Sequence, residues 1–212
     1  MILFGLAGSG IVALVAVLIV IMAGGKSKVT AATDKDVAAA MAAAGCTFTS
    51  KPVLPPKHTN FHNDVPKLTT KVEWSTFPSS GGAHYGLWAV WGFYREPVNP
   101  RNVVHNEEHG GVIIWWGPQV PAATVSKLES FYLESPGGMF GTPIAGLGKK
   151  IALAAWTGDP RRYYRKKYYG IGKLAVCAQF DEKAFTAFRD AYRGHGPEGV
   201  PLSADQPGMG PQ

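Results

Sequence analysis

Three histidines and a glutamate stand in two short segments whose composition suits metal binding. His105 and His109 flank Glu108 in the string HNEEH, and His84 follows the small residues of SSGGA. On a helix, side chains four positions apart lie on one face, so His105 and His109 could hold a single ion. Small residues let the backbone turn sharply and bring His84 close to another segment. The sequence therefore predicts that His84, His105 and His109 are metal ligands, with Glu108 as a fourth ligand or as a residue that orients one.

Met139, in the string PGGM, is a further candidate ligand because its thioether is soft. A combination of histidine and methionine suits copper, whereas histidines with a carboxylate suit zinc. Copper is favoured slightly over zinc, because Met139 is available and the domain is expected to be exported. A methionine in a loop can equally be a packing residue.

The same string has a second interpretation as a hydrolytic site. It matches the H-x-x-E-H pattern of the inverzincin proteases, in which Glu108 would act as a base on a metal-bound water. A helix of that type should continue, but Gly110 and Gly111 follow His109 at once. A metal-dependent hydrolase is therefore the alternative to metal binding alone. A third hypothesis is a non-enzymatic envelope module whose histidines are loop residues with structural hydrogen bonds.

His58 and His62 are also four positions apart, but nearby prolines disfavour a helix. We therefore expect both histidines on the surface, outside the metal site.

A basic, tyrosine-rich run begins at Arg161 and ends at Tyr169. It carries five positive charges in nine residues. Such a run can contact anionic lipid or an anionic wall polymer, with its tyrosines at the interface, or it can form a solvated hairpin. Nucleic acid is not expected as a partner, because an exported and tethered domain seldom meets it. The sequence names no protein partner.

The composition indicates a globular domain with an additional apolar segment. The chain has 212 residues, of which 46% are hydrophobic and 17% are charged, and its net charge is +6. These values exclude a disordered chain, a coiled coil and a disulfide-dense miniprotein. The length corresponds to one ordinary domain with attachments.

The apolar segment lies at the N-terminus. Residues 1–25 contain no charged side chain, and residues 11–22 (IVALVAVLIVIM) are continuously apolar. Since about 20 apolar residues span a bilayer, we predict a transmembrane anchor at residues 1–25. A linker at 26–33, a globular domain at 34–200 and a flexible tail at 201–212 would follow. The alternatives are a cleaved signal peptide, with Val29-Thr30-Ala31 as its cleavage site, and a buried helix of the soluble core.

The side of the membrane depends on two opposing signals. Lys26 and Lys28 follow the apolar segment, and the positive-inside rule would keep the domain in the cytoplasm. Cys46 and Cys177 stand near the two ends of the globular part, where an exported domain can join them as a disulfide. We favour the disulfide, and with it a single-pass protein of the cell membrane whose domain lies outside the cytoplasm. The alternative is two unrelated buried thiols.

The remaining sequence indicates an α+β domain. Thr33 begins a capping box (TDKD), and Gly45 ends the helix that follows. Apolar runs predict strands at 87–94, 111–116, 150–156 and 174–180, and helices at 122–133 and 181–193. Because no regular βαβ alternation is visible, we expect one compact domain with a mixed or mainly antiparallel sheet and flanking helices, preceded by one transmembrane helix.

Several of these strings together resemble a bacterial family of domains of unknown function, number 3105. The matching strings follow the order of the family pattern: FPSSGGAH at 77–84, GFYREPV at 92–98, VHNEEHGGV at 104–112, SPGGM at 135–139, AWTG at 155–158, AYR at 191–193 and GPE at 196–198. The anchor segment and the Gly45-Cys46 helix end also resemble the usual layout of that family. Two departures are Ala83 in place of a proline and Glu107 in place of a leucine.

The resemblance adds little about activity, because no settled function belongs to the family. It does imply that His84, His105, Glu108 and His109 are motif positions. The basic run that begins at Arg161 resembles an insertion relative to the family pattern.

Overall fold

The part of the chain that the structure describes forms four helices and five strands. This structure, a computed structural model, covers residues 32–165 and 167–211. In chain order the elements are α1 Asp34–Ala43, β1 Thr47–Pro52, α2 Pro100–His109, β2 Val112–Trp116, α3 Ala122–Glu134, β3 Met139–Pro143, β4 Ile151–Thr157, β5 Ile171–Cys177 and α4 Glu182–Tyr192. A 3₁₀ turn follows at Leu202–Ala204.

The five strands form one mixed sheet in the order β1-β5-β4-β2-β3. Only the β2–β3 pair is parallel, and the other three pairs are antiparallel. The predicted α+β class and the mixed sheet with flanking helices are therefore confirmed for the described residues.

Alternate residues of each strand point to opposite faces of the sheet, and both faces are covered. One face packs against α1, α3 and α4, for example through Ile114 of β2 and Phe185 of α4. The other face packs against α2 and the irregular segments around it, through Ile113 of β2 and Val103 of α2. This second face carries the candidate site. Because the central strands are buried on both sides, they are nearly continuous in apolar residues.

Helix α1 is attached to the sheet at both of its ends. Thr33 caps its start in the predicted capping box with Asp36. Asp34 accepts hydrogen bonds from Lys173 of β5 and from Tyr192 of α4. At the other end, Cys46 forms a disulfide with Cys177, whose Cα atom is 4.2 Å away. The predicted disulfide is confirmed, and it joins the end of the first helix to the last strand.

Residues 87–94 do not form the predicted strand. The side-chain amide of Asn106, on α2, takes the place of a neighbouring strand, because it bonds both the N–H and the C=O of Ala89 at 2.9 Å. Trp91 forms its backbone hydrogen bonds with the C-terminal segment, to Met209 and from Gly208. Only Phe93 forms a bridge to the sheet, beside Gly141 of β3. The aromatic pattern predicted burial correctly, but side-chain and tail partners replaced a strand.

The predicted anchor at residues 1–25 and most of the linker lie outside the described residues. Within residues 32–165 and 167–211, the structure contains no helix with the length and apolar character needed to cross a bilayer. Residues 201–211, which we expected to be flexible, contact the domain. Asp205 is fully buried, and its carbonyl accepts a hydrogen bond from Gly138 at 2.7 Å.

Removing the disulfide should lower the free energy of unfolding substantially. The bond closes a loop with a sequence separation of 131 residues, and a loop of that size corresponds to about 5 kcal/mol of lost chain entropy in the unfolded state. We expect the double variant Cys46→Ala/Cys177→Ala to lose about that amount in urea unfolding monitored by circular dichroism. The matched control is reductant, which should destabilise the unmodified chain and leave the variant unchanged. Equal stability of the two proteins would contradict this prediction.

Candidate metal centre

Helix α2 carries three of the predicted site residues on one side. Asn99 caps its start by accepting a hydrogen bond from the Arg101 N–H, and Gly110 ends it in the left-handed conformation with φ of 112°. His105, Glu108 and His109 are three and four positions apart, so their side chains project in the same direction. All three residues are buried. The histidines of the HNEEH string are therefore helical and not loop residues.

Two irregular segments bring further histidines to this helix. His84 is fully buried at the end of the SSGGA turn, as the small residues predicted. His62 lies in a loop whose neighbours Phe61 and Val65 are fully buried, and these two side chains hold the loop against the domain. His62 is partly at the surface, with its side chain 40% exposed, but the expectation that it lies outside the group is wrong because its ring enters the cluster. His58 does lie outside the cluster, where it pairs with Asp64.

The rings of His62, His84 and His105 surround the Glu108 carboxylate. Their centroids lie 4.7 to 5.0 Å apart in every pair. The Nε2 atoms of His84, His62 and His105 are 3.0, 3.8 and 3.9 Å from Glu108 Oε2, in that order. Four potential ligand atoms of these four residues lie within 4.8 Å of one another. Two ligands at ~2.0–2.1 Å from a tetrahedral ion are about 3.4 Å apart, so these spacings fit one ion.

The hydrogen bonds behind the rings determine which nitrogens face the centre. The Nδ1 atom of His84 lies 2.7 Å from the Gly82 carbonyl, and that of His105 lies 3.0 Å from the Tyr85 carbonyl. A carbonyl only accepts, so both Nδ1 atoms carry a proton and donate it. In the neutral rings, each Nε2 therefore presents a lone pair to the centre. Backbone carbonyls orient metal-binding histidines in the same way.

Lone pairs and a carboxylate oxygen thus face one another in a buried space. The atoms His62 Nε2, His84 Nε2 and Glu108 Oε2 are buried without a hydrogen-bond partner. Such an arrangement is unfavourable unless a cation lies between the atoms. A metal ion between them would satisfy several of these atoms at once. The donor set of imidazoles and a carboxylate fits a transition-metal ion.

The charges of the cluster depend on each other. Burial alone would raise the pKa of Glu108, but favourable interactions with His84, His62 and Tyr163 outweigh burial and lower it. Interaction with the Glu108 carboxylate raises the pKa of His62. Burial, followed by repulsion from His84, lowers the pKa of His105 to about 3. At neutral pH, Glu108 is therefore ionised and the His105 ring is neutral.

Tyr163 was expected to lie at a membrane surface or in a solvated hairpin, but it belongs to the site. Its hydroxyl donates a hydrogen bond to Glu108 Oε1, and its ring packs edge-on against Trp156. Two of the positive charges in this run have partners in the same loop, since Arg161 pairs with Asp159 and Arg162 lies over the Tyr168 ring. Tyr163 therefore covers one side of the Glu108 carboxylate.

His109 points to a neighbouring position formed with the C-terminal segment. Its ring packs 4.9 Å from that of His105 and 4.8 Å from that of Trp88. Gly196 crosses the end of α2 so closely that an added Cβ atom would lie 2.3 Å from the Gly110 nitrogen. Only glycine allows this approach, which brings Glu198 beside His109.

Met139 lies away from the four-residue group. It is the first residue of β3, it is fully buried, and it packs in the core on the face of α3 and α4. Its loop location was predicted wrongly, and a packing role agrees with its surroundings. The structure thus brings together His84, His105 and Glu108, sets His109 beside them, and leaves Met139 in the core.

The comparisons with known proteins agree with the resemblance seen in the sequence. The profile of the family described as "Protein of unknown function (DUF3105)" matches residues 67–204. The chain therefore belongs to this family. No curated protein and no solved structure matches the chain.

Three residues of the centre escaped the sequence analysis: His62, Tyr163 and Glu198. His62 could have been found from its apolar neighbours Phe61 and Val65, which indicate a loop anchored in a core. Glu198 stands in the GPE string, but no local feature of that string indicates that Glu198 lies beside His109. Tyr163 stands in a run whose charges indicated a surface, and no local signal marked it.

Acidification should destabilise the metal-free protein partly through His105. Its folded pKa of about 3 lies below the unfolded value of about 6.5, so between these values only the unfolded state takes up this proton. The contribution of His105 to the free energy of unfolding is therefore complete above about pH 6.5. It declines as the pH falls, with a slope of up to about 1.4 kcal/mol per pH unit.

The measurement is urea unfolding with chelator present at pH 6.5, 5.5 and 4.5. His105→Asn is the comparison, because its amide retains a donor near the Nδ1 position without titrating. The unmodified protein should lose more stability than the variant over this range. The raised pKa of His62 acts in the opposite direction in both proteins, so it does not affect the comparison. An equal loss of stability in the two proteins between pH 6.5 and pH 4.5 would contradict the prediction.

Proposed function

We propose that this domain binds a transition-metal ion through His62, His84, His105 and Glu108. The observation that carries the proposal is the convergence of three imidazole nitrogens on one buried carboxylate oxygen, at 3.0 to 3.9 Å. Two of the rings are held from behind by backbone carbonyls, so their lone pairs are oriented in advance. His62 is partly exposed and leaves a path from solvent.

Zinc is the ion that we favour. Three nitrogens and one carboxylate oxygen form a donor set typical of zinc. Copper was favoured in the sequence because Met139 could supply a thioether, but that side chain packs in the core. With the soft ligand outside the site, the remaining donors support zinc over copper.

A hydrolase that uses Glu108 as its base has less support. A catalytic base must be free of the metal and able to reach a bound water. Glu108 instead directs Oε2 toward the three ring nitrogens, and Tyr163 donates to its other oxygen. Its side chain is only 1% exposed. This position suits a ligand better than a base.

We further propose that residues 1–25 anchor the protein in the cell membrane and that the domain lies outside the cytoplasm. The apolar run at residues 11–22 supports the anchor. The Cys46–Cys177 bond supports the location, because structural disulfides persist in oxidising compartments. Lys26 and Lys28 would then be an exception to the positive-inside rule.

The proposed location can be tested on protein from intact cells. We expect alkylation in denaturant, followed by non-reducing mass spectrometry, to recover Cys46 and Cys177 as one cross-linked peptide pair in the membrane fraction. The control is the same sample reduced before alkylation, in which both thiols should be labelled. Two free thiols without reduction, or recovery in the soluble fraction, would contradict the proposal.

Metal binding can be measured with the full chain in detergent after removal of metal by a chelator. We expect zinc binding with a sub-micromolar dissociation constant in competition with a chromophoric chelator. At 100 times that constant, zinc should increase the free energy of unfolding by about 2.7 kcal/mol. His62→Ala should weaken binding by more than about 10-fold, because even loss of a residue that supports a ligand costs that much.

The matched control is His58→Ala, since His58 is an exposed histidine outside the cluster. It should bind zinc as the unmodified chain does. His62→Ala should remain folded because its side chain is only partly buried. Absence of both zinc and copper binding, or equal binding by the two variants, would contradict the proposed function.

A further inference from the structure

A second group of potential ligands lies beside the first. His105, His109 and Glu198 each offer a ligand atom within 4.8 Å of the others. His109 Nε2 is 3.6 Å from Glu198 Oε2, close to the separation of about 3.4 Å expected for two ligands of one tetrahedral ion. Since His105 belongs to both groups, the two positions are neighbours.

His109 is oriented by a buried carboxylate. Its Nδ1 atom lies 3.4 Å from Asp205 Oδ1, and the Asp205 residue is fully buried. The Asp205 N–H donates to the Leu202 carbonyl in the 3₁₀ turn, which fixes the backbone of Asp205. A proton on Nδ1 directed to Asp205 leaves the Nε2 lone pair facing Glu198. This is the carboxylate–histidine–metal arrangement found around protein-bound metals.

Buried polar atoms provide a second sign that this position holds a ligand. Asp205 Oδ2 is buried without a hydrogen-bond partner. The charge of a cation bound by His109 would be partly balanced by this buried carboxylate.

We propose that the centre holds two adjacent divalent metal ions; this rests on the proposed function. The six side chains then divide equally, with two imidazoles and one carboxylate for each ion. His62, His84 and Glu108 bind the first ion, and His105, His109 and Glu198 bind the second. His105 Nε2 binds only one ion at a time, so it completes the first set when a single ion is present and serves the second when both are bound.

Each ion in this arrangement retains open coordination positions. His62 and Glu198 are the partly exposed ligands, at 40% and 36%, one in each set. Two divalent ions are only half neutralised by two carboxylates, so the open positions favour an anionic oxygen ligand that bridges the ions. Metal pairs about 3.5–4 Å apart bind hydroxide and phosphate oxygens in this way.

Zinc stoichiometry tests the proposal directly. The metal-free full chain is incubated with excess zinc, freed of unbound ion by gel filtration, and analysed by mass spectrometry of the element. We expect two zinc ions per chain in the unmodified protein and one in Glu198→Gln. The matched control, Glu73→Gln, removes a carboxylate that is 73% exposed and pairs with Lys57, and it should retain two ions.

Asp205→Asn provides a separate test of the orientation of His109. It should weaken binding of the second ion by about 10-fold or more and leave binding of the first ion unchanged. A general loss of stability would not affect one ion alone. If the unmodified chain and Glu198→Gln each bind one zinc ion, the second site is overturned as a proposal and the proposed function stands. No bound ion in any protein would overturn the proposed function itself.

Discussion

The structure depends on one buried carboxylate, that of Glu108. An ionised carboxylate without compensation is costly in a protein interior, so the chain must supply positive or polar partners around it. Four separate segments do so: α2 carries Glu108 and His105, the glycine turn brings His84, the loop before it brings His62, and the basic run brings Tyr163. Segments far apart in sequence meet here because each contributes one group to a charge that none could stabilise alone.

The sheet supports this centre through the helix that carries it. Helix α2 is buried on nearly every side, which is unusual for a segment that contains two glutamates. Its polar residues have separate roles: Asn106 replaces a strand partner for Ala89, Glu108 faces the imidazoles, and burial raises the pKa of Glu107 so that it favours the neutral acid. The Asn106 side chain thus performs a task that backbone pairing performs elsewhere.

Much of the fold followed from local patterns, but only part of the site did. Strands β2, β4 and β5 and helices α1, α3 and α4 were predicted, because alternating or continuous apolar residues and helix caps act locally. The strand predicted at 87–94 failed because its partner is the Asn106 side chain. His62 and Tyr163 were missed because their positions depend on packing against Phe61 and Trp156, contacts that no spacing in the sequence reveals. His84, His105 and Glu108 were found because histidines and glycines in short strings indicate chemistry without tertiary information.

The covalent bond between Cys46 and Cys177 divides the chain mechanically. A force applied across the two ends of the polypeptide would pass through this bond and would not stretch the residues between them. About 450 Å of potential extension is thereby removed, at ~3.4 Å per residue for the 131-residue separation. His62, His84, His105 and Glu108 all lie within this shielded loop. Glu198 and Asp205 lie outside it, so tension would detach the C-terminal segment from His109 while the other four residues remained inside an unloaded loop.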